Sequence, residues 1–359
     1  MECIYLNPIL ETDSNNDSSL YEKVQKKGLN TGNMVFVDAI KKQIKYKRED
    51  WLNNESLNEL DIENIGIISC ANMINVNDSF LDTRERAICD LKFPVTLVGI
   101  GAQSTAELDT PQKLMTAMPK ERIVALHRIC DKVVSIGVRG EFTAECLEVV
   151  GIKNYRVIGC PSLYNYEKDF RKIKLPNADK CVFNTATGIK REHKVIQIGM
   201  QKSMKWIMQT MAEMPRTVYE NCELTEELVQ RKFPGYFGDI ISLKNYMKNN
   251  AIMFFTMSEW YSYMEEEAFT FSFGGRFHGN VVALRSGIPA LWIIHDSRTR
   301  ELTELFHLPS IEFPELDKIN CVEDLLEYCS YDKFYKTYPI MFNEYIKFLE
   351  ENRIDHIWK

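Results

Sequence analysis

A chain of 359 residues with 45% hydrophobic and 26% charged content is long enough for two domains of ordinary size, and its composition forbids a packed core nowhere. With 44 basic against 51 acidic residues, a net charge of -7 and no long Lys/Arg run, it lacks the electrostatic footprint of a nucleic-acid-binding protein. No window approaches the roughly 18 apolar residues of a membrane-spanning helix, and ten cysteines without a C-x-x-C pair suit the reduced thiols of a cytoplasmic protein better than a zinc or redox centre.

The opening "MECIYLNPILETDSNNDSS" has no basic segment followed by an apolar one, so the chain reads as unexported. "GLNTGNMVFVDAIKKQI" then reads as a polar loop, with Asn30, Gly32 and Asn33, that caps a helix with Met34, Val37 and Ile40 on its apolar face. Four short apolar runs follow: "NIGIISC", "VTLVGIGAQ", "KVVSIGVRG" and "RVIGCPS". Between them, residues 79–91, 119–131 and 141–150 carry helical spacing. Strands alternating with helices predict a parallel sheet, here a Rossmann-like domain over residues 1–165.

The charged stretch 165–180 reads as a connection. Beyond it "CVFNTATG", "KVIQIGM", "AIMFFTM", "EAFTFSFGG" and "IPALWII" are the expected strands of a second Rossmann-like domain over 175–330. The amphipathic stretch from Asp332 to Ile354 is expected to form a terminal helix, within 331–359, that packs back across the domains. The fold class is therefore α/β, with two Rossmann-like domains of parallel strands facing a central cleft.

Chemistry concentrates where strands hand over to helices. In "FSFGGRFHGNVVALRSGIPALWII" a buried aromatic strand ends at Gly274 and Gly275, and a helix runs from His278 to a stop at Gly287 and Pro289. Arg276 and His278 thus fall at the carboxyl edge of a parallel sheet, where open α/β folds bind ligands. The guanidinium can grip a phosphate or carboxylate bidentately, and the imidazole can serve as acid, base or positive charge. The amides of residues 279 and 280 offer the same anion a helix N-terminus.

Arg139 occupies a second such corner, after "VVSIGV", and is expected to face Arg276 across the cleft; its plain structural alternative is a surface ion pair with Glu141. Gly99 and Gly101 in "VGIGAQS" would let backbone amides approach a phosphate, although the spacing is not the dinucleotide fingerprint. "HDSRTRELTELF" brings Asp296 and Arg298 to a further sheet edge, with Asp296 or Ser297 as a helix cap. Asn30 and Asn33 either cap their helix or line the cleft. No H-x-x-x-H or D-x-D pair suggests a metal site, and no cofactor motif is present.

The segments from Val95 to Gln103, "SIGVRGEFTAECLEVVGI" and above all "GGRFHGNVVALRSGIPALWIIHDSRTRELTELF" resemble, in order and spacing, the polysaccharide pyruvyl transferase family. With "NTGN" the likeness extends from about residue 28 to 308. The resemblance implies a GT-B-like fold and transfer of a pyruvyl group from phosphoenolpyruvate to sugar hydroxyls, often as a ketal. It places Arg139, Arg276 and His278 at donor positions, with His278 and Arg276 as the expected catalytic pair; the reading of the loops adds Gly99, Gly101 and Arg298 as expected donor-binding residues. The implied partners are phosphoenolpyruvate, as substrate with no further cofactor, and a glycan or lipid-linked sugar acceptor.

Two positions depart from the family's pattern. Cys160 stands before Pro161 where an acidic residue is common, and Gly140 follows Arg139 where an acidic residue is usual. Two other readings fit the same residues: a GT-B glycosyltransferase using a nucleotide sugar, and a noncatalytic anion-sensing protein that keeps the fold. A lipid-linked acceptor would bring the cytoplasmic chain to the inner face of the membrane as a peripheral contact. Nothing in the sequence speaks to oligomeric state.

Overall fold

The computed structural model describes residues 2–7, 18–52, 54–60, 62–77, 80–104, 107–164, 167–186, 192–210 and 213–359. Among these, twelve strands form two six-stranded sheets whose neighbours all pair in parallel. The first contains β1 (Glu2–Asn7), β2 (Arg48–Trp51), β3 (Asn64–Ser69), β4 (Val95–Ile100), β5 (Ser135–Val138) and β6 (Tyr155–Val157), in the order β2-β1-β3-β4-β5-β6. The second contains β7 (Cys181–Asn184), β8 (Lys205–Ile207), β9 (Ala251–Ile252), β10 (Phe271–Gly274), β11 (Ala290–Ile294) and β12 (Ser310–Glu312). Its order, β12-β11-β10-β7-β8-β9, reverses direction between β7 and β10. That reversal opens a crevice at the carboxyl ends of β7 and β10, the standard ligand position of a doubly wound sheet.

The central strands are continuous apolar runs because helices cover both faces. All of β4, β7, β10 and β11 is buried. The helices expected in the first half occur at Phe80–Cys89, Lys120–Lys132 and Glu141–Val149; the expected start at Ser79 lies outside the described residues, as do residues 165 and 166 of the connection.

Two strand assignments need correction. "KVIQIGM" belongs to the helix Glu192–Gln201, whose buried Val195, Ile196, Ile198 and Gly199 gather on one side with helical spacing. The strand in this region is the short β8 that follows. "AIMFFTM" contributes only the two-residue edge strand β9. The strands β1, β2, β8 and β12 have no counterpart among the expected ones; β1 lies inside the sheet, between β2 and β3.

The terminal helix Asp332–Glu351 begins beside the second sheet, where the Tyr331 hydroxyl donates to Ala290 O at 2.7 Å. It ends against the first, where Thr96 Oγ1 donates to Asn352 Oδ1 at 3.1 Å. Along the way Tyr345 stacks on Tyr164 with ring centroids 4.6 Å apart and donates to Gln43 Oε1 at 2.9 Å. Gln43 Nε2 in turn donates to Pro161 O and Tyr164 O. One aromatic and amide knot therefore holds the N-terminal helix Asn33–Gln43, the 160–164 turn and the C-terminal helix together.

Tyr164 is fully buried in that knot. Tyr164→Ala is expected to cost about 3–5 kcal/mol through the cavity it leaves, read as a lowered urea midpoint with an unchanged m-value.

Candidate functional site

At the carboxyl end of β10 the chain must turn sharply beneath β7. Gly274 has φ 141°, and a Cβ there would lie 1.9 Å from Asn184 O, so only glycine fits. Arg276 follows as the N-cap of the helix Phe277–Arg285. Its backbone N–H donates to Asn184 Oδ1 at 2.7 Å, its Nε to Thr185 O at 3.1 Å and its Nη2 to Thr210 Oγ1 at 3.2 Å.

Asn184 is itself held by Asn280, to which it donates at 2.8 Å. Fully buried Asn280 also accepts from Ser272 Oγ and donates to Gly274 O and Leu291 O. These two asparagines, with no role assigned by sequence, lock β7, β10, β11 and the helix into one corner. Of the two amides at the helix N-terminus, that of Asn280 bonds back to Arg276 O at 3.4 Å, while Gly279 leaves room for the Gln209 side-chain amide beside it.

His278 reaches back toward the first half of the chain. Its ring is 5.5 Å from that of Phe36, and its Nε2 lies 3.5 Å from Cys160 Sγ. Cys160 thus touches the imidazole at the place where the family pattern commonly has a carboxylate. Burial, followed by the charges of Arg139 and Arg298, holds the His278 pKa well below its ordinary value, so the ring is neutral at pH 7.

Arg139, at the end of β5, is 1% exposed. Its guanidinium lies 5.4 Å from the Phe36 ring centre, and donates to Asn72 Oδ1 at 3.3 Å and Cys70 O at 3.4 Å, while Nε has no partner. No ion pair joins it to Glu141. Of the glycines of "VGIG", Gly101 makes room for this arginine. Gly99, at φ 86°, sits where the β4–β5 register shifts, and a Cβ on Gly101 would lie 3.0 Å from Arg139 Cδ. The Gly101 amide already donates to Ala71 O at 2.9 Å.

Arg298 links the two corners electrostatically, since its charge bears on Arg139, Arg276 and His278 alike. It pairs with Asp296 at 3.1 Å, and Asp296 also caps the helix Ser297–Phe306 through the Thr299 amide. Burial pushes the Asp296 pKa up, but Arg298, His295 and that amide outweigh it, and the carboxyl stays ionised. Burial and Arg298 lower Arg276 to about 10, still protonated at neutral pH.

Asn30 is bridged to Thr210, a partner of Arg276, and lies near the cleft. Asn33, by contrast, spends its side-chain amide on Lys27 O, as a local tie.

Two further carboxyls, which no local pattern marks as buried, join the site by packing beside glycines of other elements. Glu192, fully buried, accepts from the Ala186 amide at 2.6 Å and occupies the space beside Gly275. Glu301 accepts from the Thr143 amide at 3.0 Å, and Gly140 leaves room for it: a Cβ there would lie 2.8 Å from Glu301 Cβ. The glycine at the second departure from the family pattern thus admits a carboxyl from elsewhere in the chain. Burial is the main cause that pushes both Glu192 and Glu301 up to about 8.

The fold and site together define an α/β protein that buries a cluster of cations where the strands of two facing parallel sheets end. Residues 30–297, most of the chain, match the family model for polysaccharide pyruvyl transferase, and the chain belongs to that family. No curated protein matches it. Solved structures similar to it include UDP-GlcNAc 2-epimerase from Neisseria meningitidis bound to UDP-GlcNAc, at 11% identity and TM-score 0.46, covering 98% of this chain and 100% of that one. MnaA of S. aureus with UDP shows 10% identity and TM-score 0.44, covering 98% and 96%. The lipopolysaccharide outer core galactosyltransferase WaaB shows 10% and 0.43, covering 98% and 99%.

Asn280→Ala is expected to destabilise the fold by about 2–4 kcal/mol, because it strands two carbonyls, an amide and a hydroxyl in the interior; chemical denaturation measures it. Glu192 keeps its proton to about pH 8 when folded, against 4.5 for an ordinary Glu. The folded chain therefore binds more protons between those values, and stability falls as pH rises through that window. Glu192→Gln removes this contribution, so its denaturation midpoint is expected to decline less than that of the wild type from pH 5 to 8.5.

Proposed function

We propose that this family member transfers the pyruvyl group of phosphoenolpyruvate onto a pair of hydroxyls of a glycan, closing a ketal. The observation that carries this reading is a buried charge imbalance. Arg139, Arg276 and Arg298 converge with a neutral His278, while Glu192 and Glu301 hold their protons and Asp296 alone is ionised to answer them. Arg139 Nε and Arg298 Nε have no partner. A small anion bearing both a phosphate and a carboxylate supplies what these donors lack.

In the proposed reaction the bound anion's negative charge raises the pKa of His278, which takes up a proton. The imidazolium passes it to the methylene carbon of phosphoenolpyruvate, turning CH2 into CH3 and leaving the central carbon electrophilic. One sugar hydroxyl forms a C–O bond there, the bond to phosphate oxygen breaks, and a second hydroxyl closes the ring. Of the two hydroxyl protons, one replaces the proton given to carbon and the other leaves with phosphate. Arg139 and Arg276 stabilise the departing charge. The acceptor is a polysaccharide or its lipid-linked precursor; with the latter the chain would work at a membrane face, although no helix among the described residues is long and apolar enough to cross a membrane.

Calorimetric titration with phosphoenolpyruvate, UDP and a UDP-sugar tests the donor. Phosphoenolpyruvate is expected to bind and the nucleotides are not; Arg276→Ala should weaken it roughly 100-fold, about 3 kcal/mol for a lost charge-assisted pair. Repeating the titration at pH 7 in buffers of different ionisation enthalpy should reveal net proton uptake, abolished in His278→Asn. Binding of UDP in place of phosphoenolpyruvate would move the reading to glycosyl transfer, and proton uptake that survives in His278→Asn would remove the histidine as acid.

A further inference from the structure

A cavity of about 690 Å³ opens between the loops after β4 and β5 and those after β11 and β12. It lies within the roughly 300–1,000 Å³ of small-molecule sites. Arg139, Arg276 and His278 do not line it, so it is distinct from the cation cluster; Asp296, which pairs with Arg298, lines it and joins the two. We infer that this cavity holds the acceptor, and that the part of the glycan seated there is hydroxyl-rich and carries no acidic group. The inference rests on the pyruvyl-transfer reading for the identity of the second ligand.

Three features argue for such an occupant. Phe142 and Phe313, with Pro314 beside the latter, give apolar faces on which the C–H side of a sugar ring can rest. Glu141, Glu145 and Glu304 stand along the cavity exposed and without an ion pair or hydrogen bond, and an ionised carboxylate offers about four acceptor positions to hydroxyl donors. His295 also lines the space, and its ring, centred 6.2 Å from that of Phe313, adds another flat face.

The same features exclude other ligands. Arg300, the basic residue of the lining, is already paired with Glu312, so an acidic sugar or a nucleotide would meet like charge without compensation. Among the described residues no group of three His, Cys, Asp or Glu is placed to hold a metal ion. That leaves the carboxylates available to hydroxyls. The division is one of charge: the anionic donor goes to the buried arginines and the uncharged acceptor to the carboxylate-lined cavity, with Asp296 between them.

The test applies the full chain to an array of hexose and N-acetylhexosamine oligosaccharides and their uronate-bearing counterparts. The best neutral binder is then titrated in solution against wild type, Glu304→Lys and Phe313→Ala, with phosphoenolpyruvate titrated in parallel. Neutral glycans are expected to bind at least about 10-fold tighter than uronates. Glu304→Lys, a change on an exposed side chain, should weaken the neutral glycan at least about 10-fold while phosphoenolpyruvate affinity stays within about 2-fold. Preference for uronates, indifference to Glu304→Lys, or no glycan retained at all would overturn the assignment. If phosphoenolpyruvate fails to bind the wild type while glycan binding persists and is lost in Glu304→Lys, the donor reading falls and the glycan site stands.

Discussion

Withdrawing the guanidiniums of Arg139, Arg276 and Arg298 from water costs several kcal/mol for each charge that finds no compensation, and the surrounding architecture is organised by that cost. Arg139 is met by two carbonyl oxygens and an aromatic face, Arg276 by a carbonyl and a hydroxyl, and Arg298 by Asp296. Glycine at 101 gives the first of these side chains its room. The compensation stops short of neutrality, because the other two buried carboxyls are pushed toward their protonated forms. This corner of the protein is left with a net positive charge.

This arrangement depends on the two sheets being held in register. The link is polar and specific: Gln103 donates to Asp296 at 3.2 Å, the Ser104 amide donates to Ser297 Oγ at 2.9 Å, and Glu301 takes the amide and hydroxyl of Thr143. On another side the terminal helix spans from Tyr331 at the second sheet to Asn352 at the first. A seam of this kind fixes the relative position of Arg139 and His278, which approach from different sheets, and it also makes the cluster sensitive to any separation of the two.

The cluster and the neighbouring cavity differ in character. One is cationic and nearly dry; the other is open, aromatic and edged by carboxylates. Asp296 serves both by neutralising Arg298 and facing the cavity. The proximity of the two suits the transfer proposed above, since reacting atoms must be brought within contact distance for the entropy of association to be offset in advance.

Much of the fold was legible in the amino-acid sequence because buried parallel strands are continuous apolar runs, and because glycine and proline mark where such runs stop. The runs at β4, β10 and β11 and the corner holding Arg276 and His278 could be placed that way. Assignment failed where the pattern is ambiguous: "KVIQIGM" is short enough to suit either a strand or one face of a helix, and packing decided for the helix. The strands β2, β8 and β12 are three or four residues long and carry too little pattern to stand out.

At the site, the chain alone determined which cationic side chains lie at strand ends, since a strand end is a local property. Tertiary structure alone decided that Cys160 would touch His278, that Asn280 would hold Asn184 beneath Arg276, and that Glu192 and Glu301 would be buried beside Gly275 and Gly140. These contacts join residues from separate elements, and the burial that sets their protonation exists only once the sheets and helices have closed around them.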